Sequence, residues 1–207
     1  MLTARSLTKP TIFRATRDDS SVADPDRDVL ELVDQGDVTG ALRRLMRRHG
    51  TTVYRYCREA LRDPTLADDV HQQVFVAAFR GLPSFGRRST VRIWLFAIAR
   101  HRVLDAAKQR RRAQAHIEDT EATDVPDPRP SPADSIDDTR LREALVASLG
   151  ELSEHARTAV LLRYQRGFTF EQMAEICREL PATLHARVAR ALPVLRARIE
   201  ARIGSSL

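Results

Sequence analysis

The residues best placed to bind a ligand form a basic run between positions 80 and 112. Ten cations fall in this run against one acid, Asp105. They are Arg80, Arg87, Arg88, Arg92, Arg100, Arg102, Lys108, Arg110, Arg111 and Arg112. Phe85, Trp94, Phe96 and His101 are interleaved with them. Cationic side chains neutralise phosphates, and aromatic or guanidinium planes stack on exposed bases. The pattern favours contact with single-stranded or locally melted DNA. The alternative is a solvated helix face whose aromatic rings belong to the core.

The composition of the whole chain is consistent with a polyanionic partner. The 207 residues carry a formal net charge of +6, and lysine occurs only at Lys9 and Lys108. Arginine makes bidentate contacts to phosphate and guanine, so nucleic acid is the first candidate partner and a membrane surface the second. A high genomic GC content, which favours arginine codons, is a simpler explanation for much of this bias.

No arrangement of residues predicts catalysis. The sequence has no G-x-S-x-G, no glycine-rich phosphate loop and no H-E-x-x-H. Asp68 and Asp69 are adjacent, so they point to different sides of a helix. Cys57 and Cys177 lack C-x-x-C spacing and are expected to be core residues. We expect no catalytic residue, cofactor or metal site, and hence not an enzyme.

Hydrophobic periodicity predicts an all-α protein. Apolar residues recur at helical spacing along most of the chain, and strand-like alternation is missing. Asp63, Ser153 and the pair Thr169–Gln172 are predicted helix N-caps. Gly36 is predicted to break the first helical stripe, with a new helix near Val53. No apolar run approaches the roughly 18–20 residues that span a bilayer, so we expect a cytoplasmic protein without membrane insertion.

A change of composition divides the chain in two. Between positions 114 and 138 prolines alternate with polar residues and acids dominate, so this segment cannot bury enough surface to fold alone. We therefore predict two small helical domains, 26–113 and 139–207, joined by a flexible, acidic, proline-rich linker at 114–138. Residues 1–25 are predicted to be a disordered extension.

Several motifs in order resemble the extracytoplasmic-function (ECF) sigma factors of bacterial RNA polymerase. In the first domain these are D-D-V-H-Q-Q-V-F at 68–75, L-P-S-F at 82–85 and W-L-F-A-I-A-R at 94–100. They resemble sigma region two. In the second domain G-F-T-F-E-Q-M-A-E-I at 167–176 resembles the start of the region-four helix-turn-helix.

The resemblance implies surfaces for core RNA polymerase and for the minus-ten promoter element. The residues that would bind the polymerase clamp are Asp68, Asp69, Gln72, Gln73 and Val76. Those that would open the minus-ten element and hold a flipped base are Ser84, Phe85, Arg87, Arg88, Ser89, Arg92, Arg100 and His101.

In region four, the resemblance implies contact with the minus-thirty-five element and with the polymerase flap. The residues that would enter the major groove are Thr183, His185, Ala186, Arg187 and Arg190. The linker would run through the polymerase toward the RNA exit path. The resemblance also implies an anti-sigma factor that covers both DNA-binding domains.

Five positions depart from the family pattern. Gln73 replaces a usual Glu, and His101 replaces the usual Asn of the minus-ten pocket. Arg178 stands where a glycine normally supplies a positive φ at the helix-turn-helix turn. Glu179 replaces an apolar residue and is expected to stay solvated. Pro193 is predicted to end or kink the last helix. These changes predict an altered turn and weaker or unusual minus-thirty-five recognition.

Two other functions remain compatible with the sequence. One is a helix-turn-helix regulator whose N-terminal half senses a signal. The other is a sigma-like interaction protein that binds an anti-sigma factor without touching DNA. The basic, tryptophan-containing helix argues against a sensor, and a sigma-like interaction protein would not need the arginines between positions 87 and 112.

Overall fold

A computed structural model describes residues 25–115 and 136–204. Within these ranges the chain forms eight α-helices, a 3₁₀ turn and a π-helical turn, and no strand. The elements are α1 (Arg27–Asp34), α2 (Val38–Leu61), α3 (Pro64–Gly81), the 3₁₀ turn (Leu82–Ser84), α4 (Val91–Ala115), α5 (Ile136–Gly150), α6 (Glu154–Val160), the π-helical turn (Leu161–Gln165), α7 (Phe170–Cys177) and α8 (Pro181–Gly204). The all-α prediction is confirmed. Except at their edges, the predicted extension and linker lie outside the described residues.

The first half of the structure, residues 25–115, is a bundle built mainly from α2, α3 and α4. Asp63 caps α3, because its carboxylate accepts a hydrogen bond from the Leu66 N–H at 3.0 Å. Thr90 does the same for α4 through the Ile93 N–H at 3.2 Å. These caps satisfy backbone donors that have no partner inside the helix. They fix where the two helices that carry the expected binding residues begin.

Helix α2 is one continuous helix of 24 residues. Gly36 has a φ of +80° and separates α1 from α2, as the sequence predicted, but the separate helix expected near Val53 is wrong. Leu45, His49 and Val53 are all buried and follow one another four residues apart, on one face of the helix. Burial of that face outweighs the cost of about 1 kcal/mol for Gly50 in a helix interior.

The second half, residues 136–204, contains α5 to α8. The predicted caps are confirmed: Ser153 accepts from the Ala156 N–H at 3.3 Å, and Thr169 and Gln172 form a reciprocal capping box ahead of α7. Helix α7, a short turn and helix α8 follow one another as in a helix-turn-helix.

Helix α8 runs through Pro193 to Gly204, so of the two outcomes expected at this proline, an end or a kink, the end is wrong. Proline removes the hydrogen bond to the carbonyl four residues earlier, here that of Ala189. Both Pro193 and Ala189 lie on the exposed side of α8, where water can satisfy the freed carbonyl. Val188, Ala191 and Leu195 are buried and hold the helix in place on both sides of the proline.

One hydrophobic core extends through both halves. The ring of Phe96 on α4 lies 5.6 Å from the ring of Tyr56 and 5.1 Å from that of Phe168, centroid to centroid and edge to face. All three rings are fully buried. Arg157 on α6 adds a polar link, because its guanidinium donates to the Ala60 carbonyl of α2 at 2.8 Å. The two halves are therefore packed against each other.

Both cysteines are buried free thiols, as the sequence predicted. Burial raises the pKa of Cys57 to about 12 and that of Cys177 to about 11. Both groups are therefore protonated at neutral pH, which makes them poor nucleophiles and poor metal ligands. In the described part of the chain, no helix has both the length and the apolar character needed to cross a bilayer.

The buried carboxylate of Asp26, just before α1, forms hydrogen bonds with two side chains of α2. Asp26 is fully buried and lies 2.9 Å from Nε2 of His49 and 2.7 Å from the Arg48 guanidinium. Burial alone would raise the pKa of Asp26, but the hydrogen bonds from His49 and Arg48 outweigh it and the pKa is lowered. The ionised carboxylate therefore stabilises the folded state.

We expect Asp26→Asn to lower the free energy of unfolding at pH 7 by about 2 kcal/mol, because the amide brings an extra donor to a site lined by donors. Because the folded pKa is depressed, the difference from wild type is complete above the unfolded pKa of about 3.9 and disappears as the pH falls through the folded value. Urea unfolding at pH 7 and at pH 3 measures this. A constant difference at both pH values would contradict the assignment.

Candidate nucleic-acid interface

The expected polymerase-binding residues lie on the outer face of α3. Asp68, Asp69, Gln72, Gln73 and Val76 are all exposed. All of these except Asp68 line one shallow depression together with Ala77, Arg80, Gly81 and Arg102. The buried side of the helix is apolar, which leaves the acids and amides pointing outward. Near them, the side chains of Val76 and Phe79 are 49% and 41% exposed. An exposed apolar pair beside polar groups is typical of a protein-binding surface.

The loop after α3 is held by aromatic packing. Phe85 contacts Trp94, with ring centroids 5.1 Å apart. The indole also lies directly against Gly81, where an added Cβ would come within 2.9 Å of Cζ2 of Trp94. Ser84 donates to the Gly81 carbonyl at 3.1 Å. The loop therefore has a defined shape, and Trp94 and Phe96 serve the core, in agreement with the simpler of the two interpretations.

Part of the expected minus-ten set is open to solvent. Ser84, Arg87, Arg88 and His101 are exposed, and Ser89 is half-buried. Arg87 has a positive φ of 50° and forms an ion pair with Asp34. His101 lies 2.9 Å from Asp105, four residues further along α4. These side chains can meet a ligand without any rearrangement of the backbone.

Two further members of the set, Arg92 and Arg100, are covered by the second half. The Arg92 guanidinium lies 4.1 Å from the centroid of the Phe168 ring and donates to the Arg166 carbonyl. Burial, followed by the nearby charge of Arg166, lowers the pKa of Arg92. Arg100 donates to the Cys177 carbonyl at 3.5 Å and to Glu179 at 3.0 Å. Neither guanidinium faces open solvent.

The turn between α7 and α8 departs from the pattern without losing its backbone geometry. Arg178 adopts the left-handed conformation, with φ +55° and ψ 42°, and its N–H donates to the Ala174 carbonyl. A side chain at this position costs about 1 kcal/mol relative to glycine. Arg178 therefore takes the positive φ that a glycine would supply here, and the altered turn expected from the sequence is wrong for the backbone.

Glu179 is half-buried and paired with two arginines, not freely solvated as the sequence predicted. Its side chain is 24% exposed and accepts from Arg187 at 3.0 and 2.6 Å, one bond to each carboxylate oxygen. Arg100 binds the same carboxylate. The hydrogen bond from Arg187 is the largest cause of the lowered pKa of Glu179. Two guanidinium groups thus offset the cost of burying this charge.

The expected minus-thirty-five residues occupy the first three turns of α8. Thr183, His185, Ala186 and Arg190 are exposed, whereas Arg187 is half-buried against Glu179. The His185 ring packs edge to face on Phe170 at 5.1 Å. The start of α8 therefore presents small and polar side chains of the kind that read base edges in a major groove.

The residues that join the halves were not predicted from the sequence. Phe168 is fully buried against α4. Arg166 contacts Glu59 of α2 at 3.3 Å, and Arg157 reaches the Ala60 carbonyl. The two arginine contacts join residues 107 and 97 positions apart in the sequence, and the ring contact is also far from local, so no local periodicity predicts them.

Comparison with known proteins gives consistent matches. Residues 45–113 match the family model described as Sigma-70 region 2. The chain is 31% identical over 146 residues to the ECF RNA polymerase sigma factor SigC of Mycobacterium tuberculosis, covering 68% of this chain and 74% of that protein. It is 24% identical over 152 residues to the ECF RNA polymerase sigma factor SigX of Bacillus subtilis, covering 72% of this chain and 78% of that protein.

Among solved structures, the fold is similar to that of the sigma factor RpoE of Bartonella quintana, which was determined in complex with the anti-sigma factor NepR. The TM-score is 0.63 at 23% identity, and the match covers 78% of this chain and 96% of that one. At this identity the likeness concerns the fold.

Proposed function

This chain belongs to the ECF family of RNA polymerase sigma factors. On that basis we propose which of its surfaces binds core polymerase and which bind each promoter element. As a sigma factor it directs core RNA polymerase to promoters and begins the opening of DNA. We assign residues 26–113 to sigma region two, 114–138 to the linker and 139–207 to sigma region four. It acts without catalysing a reaction of its own, in the cytoplasm beside the polymerase.

The outer face of α3 binds the clamp of core polymerase. The observation that carries this assignment is the exposure of Val76 and Phe79 next to Asp69, Gln72 and Gln73. Apolar side chains can supply the affinity of a protein interface, while acids and amides select an arginine-rich partner surface.

The loop after α3 and helix α4 bind the minus-ten element. Arg88 and His101 are accessible as they stand, and Arg92 and Arg100 become accessible once the second half moves away. Guanidinium groups can neutralise the backbone of the melted strand and stack on its bases. His101, in place of an asparagine, changes the hydrogen-bonding groups offered to a flipped base.

The start of α8 binds the minus-thirty-five element. Thr183, His185 and Ala186 point outward, and Arg187 and Arg190 add positive charge. Glu179 neutralises Arg187, so minus-thirty-five binding is weaker than a free arginine would allow. Strong protection of a conventional minus-thirty-five sequence by the isolated protein would argue against this.

An anti-sigma factor is the natural regulator of this chain. A structural relative was solved with such a partner. The exposed apolar residues Val76 and Phe79 on α3, and Leu141 and Val146 on α5, give a partner hydrophobic surface in both halves. Occupation of these surfaces would block the polymerase.

We expect Gln72→Ala combined with Val76→Ala to weaken core polymerase binding about 10- to 100-fold, as two central interface side chains can do. Binding of single-stranded DNA by the free protein should not change, because neither residue belongs to the basic surface. Fluorescence titration with core polymerase and with a labelled oligonucleotide measures both affinities.

Met46→Ala is the control, since it removes a comparably exposed apolar side chain (43%) from α2. Loss of DNA binding in the double variant with core affinity intact would mean that the faces of α3 and α4 have been assigned the wrong way round. Failure of the wild-type protein to bind core polymerase would reject the proposed function as a whole.

A further inference from the structure

Three of the arginines assigned to DNA binding are held at the junction between the two halves. Arg92 and Arg100 belong to the minus-ten set on α4, and Arg187 belongs to the minus-thirty-five set on α8. Arg92 lies beneath Phe168, and Arg100 and Arg187 converge on Glu179. The side chains of Arg100 and Arg187 are only 12% and 22% exposed. In this arrangement these groups offer a DNA backbone little exposed surface.

Glu179 is the centre of the junction. Its Oε1 accepts from both Arg100 and Arg187 at 3.0 Å, and its Oε2 accepts from Arg187 at 2.6 Å. One carboxylate thus occupies a cation from each promoter-reading surface, as a DNA phosphate would.

We propose that Glu179 is an internal latch that closes the protein: held by Arg187 of its own half, it binds Arg100 of the other half, and the halves must part before the minus-ten surface on α4 can hold DNA. This inference rests on the proposed function, because it concerns the same two surfaces. It adds a regulatory role for a residue that stands at a normally apolar position.

Two buried donors without acceptors destabilise the closed arrangement. In the closed arrangement, Nε of Arg100 and Nε of Arg166 are buried without a hydrogen-bond acceptor. A buried donor without an acceptor is costly, and separation of the halves would return both to water. DNA phosphates can then replace the Glu179 carboxylate on Arg100. The closed state is stabilised by the Phe96–Phe168 contact and destabilised by these two donors without acceptors.

The test uses the full chain with Glu179→Gln and, as the matched control, Glu175→Gln, which removes an exposed carboxylate four residues earlier, on α7. The probe is a fluorescent single-stranded 12-mer of randomised sequence. We expect Glu179→Gln to raise the affinity about five- to tenfold, because an occupied basic site becomes free. Glu175→Gln should change it less than about twofold, the size of a long-range charge effect. Equal effects of the two changes would overturn the proposal.

A second measurement separates opening of the halves from the mere release of Arg187. Modification of arginines by a dicarbonyl reagent, followed by mass spectrometry, reports the accessibility of each guanidinium. Arg92 is held by the Phe168 ring and the Arg166 carbonyl rather than by Glu179, so its modification rises in Glu179→Gln only if the halves part. Faster modification of Arg187 alone would overturn the latch.

The same reagent tests the wild-type protein directly, whether or not the variant folds. Arg92 and Arg100 should react several-fold more slowly than the exposed Arg88. Equal rates for all three would show that the closed state is not populated. Core polymerase binding by the same preparation keeps the two hypotheses apart. If core binds and the arginine rates are equal, the latch fails alone; if core does not bind, the proposed function fails.

Discussion

Replacing Arg157 with methionine should lower the free energy of unfolding by about 3–5 kcal/mol, as expected when buried polar groups lose their partner. The guanidinium donates to four backbone carbonyls, at 3.0 Å to Leu149, 2.9 Å to Gly150, 3.0 Å to Leu152 and 2.8 Å to Ala60. Burial lowers the pKa of Arg157, and these bonds are what offset that cost. Methionine fills much of the volume but satisfies none of the carbonyls.

Chemical denaturation followed by circular dichroism measures this change. Arg140→Met, an exposed substitution on α5, is the control and should stay within about 0.5 kcal/mol of wild type, as exposed substitutions usually do. If the two variants unfold at the same denaturant concentration, Arg157 does not join α6 to the carbonyl ends of α2 and α5 in solution.

Arg92→Ala combined with Arg100→Ala should reduce promoter-directed transcription about 100-fold while leaving core binding intact, because two guanidinium contacts to the melted strand are lost. The dependence of log affinity on log salt concentration should also become shallower by about 1.4, or about 0.7 for each single-strand phosphate contact. Run-off transcription and a salt titration of oligonucleotide binding measure these effects.

Arg43→Ala with Arg47→Ala removes the same charge from exposed positions of α2 and is the control. A general loss of positive charge would affect both double variants alike. A specific contact surface on α4 predicts a change of slope only for the Arg92–Arg100 variant. A collapse of core affinity in that variant would instead place this face against the polymerase.

The features that the sequence predicted correctly depend on neighbouring residues. Asp63, Ser153 and the Thr169–Gln172 pair each act within one helical turn, so the residue types suffice to locate the helix starts. Arg178 does not belong to this class. Its departure from glycine predicted an altered turn, and the structure shows a φ of +55° there, so the backbone of the turn is retained.

The features that the sequence did not predict depend on distant residues. Helix α2 passes through Gly50 and helix α8 passes through Pro193 because buried side chains on either side of each hold the helix. Glu179 was expected to be solvated, since nothing near it in sequence indicated that Arg100, 79 residues away, would provide a partner. Tertiary packing decided each of these cases, and it outweighs local propensity.

The contact of Gly81 with Trp94 limits how this sequence can diverge. A Cβ at position 81 would come within 2.9 Å of the indole ring, closer than two carbon atoms can approach without displacement. Position 81 can acquire a larger residue only after position 94 has lost ring volume. We therefore expect these two sites to covary among close orthologues, with a smaller aromatic at 94 preceding alanine or serine at 81.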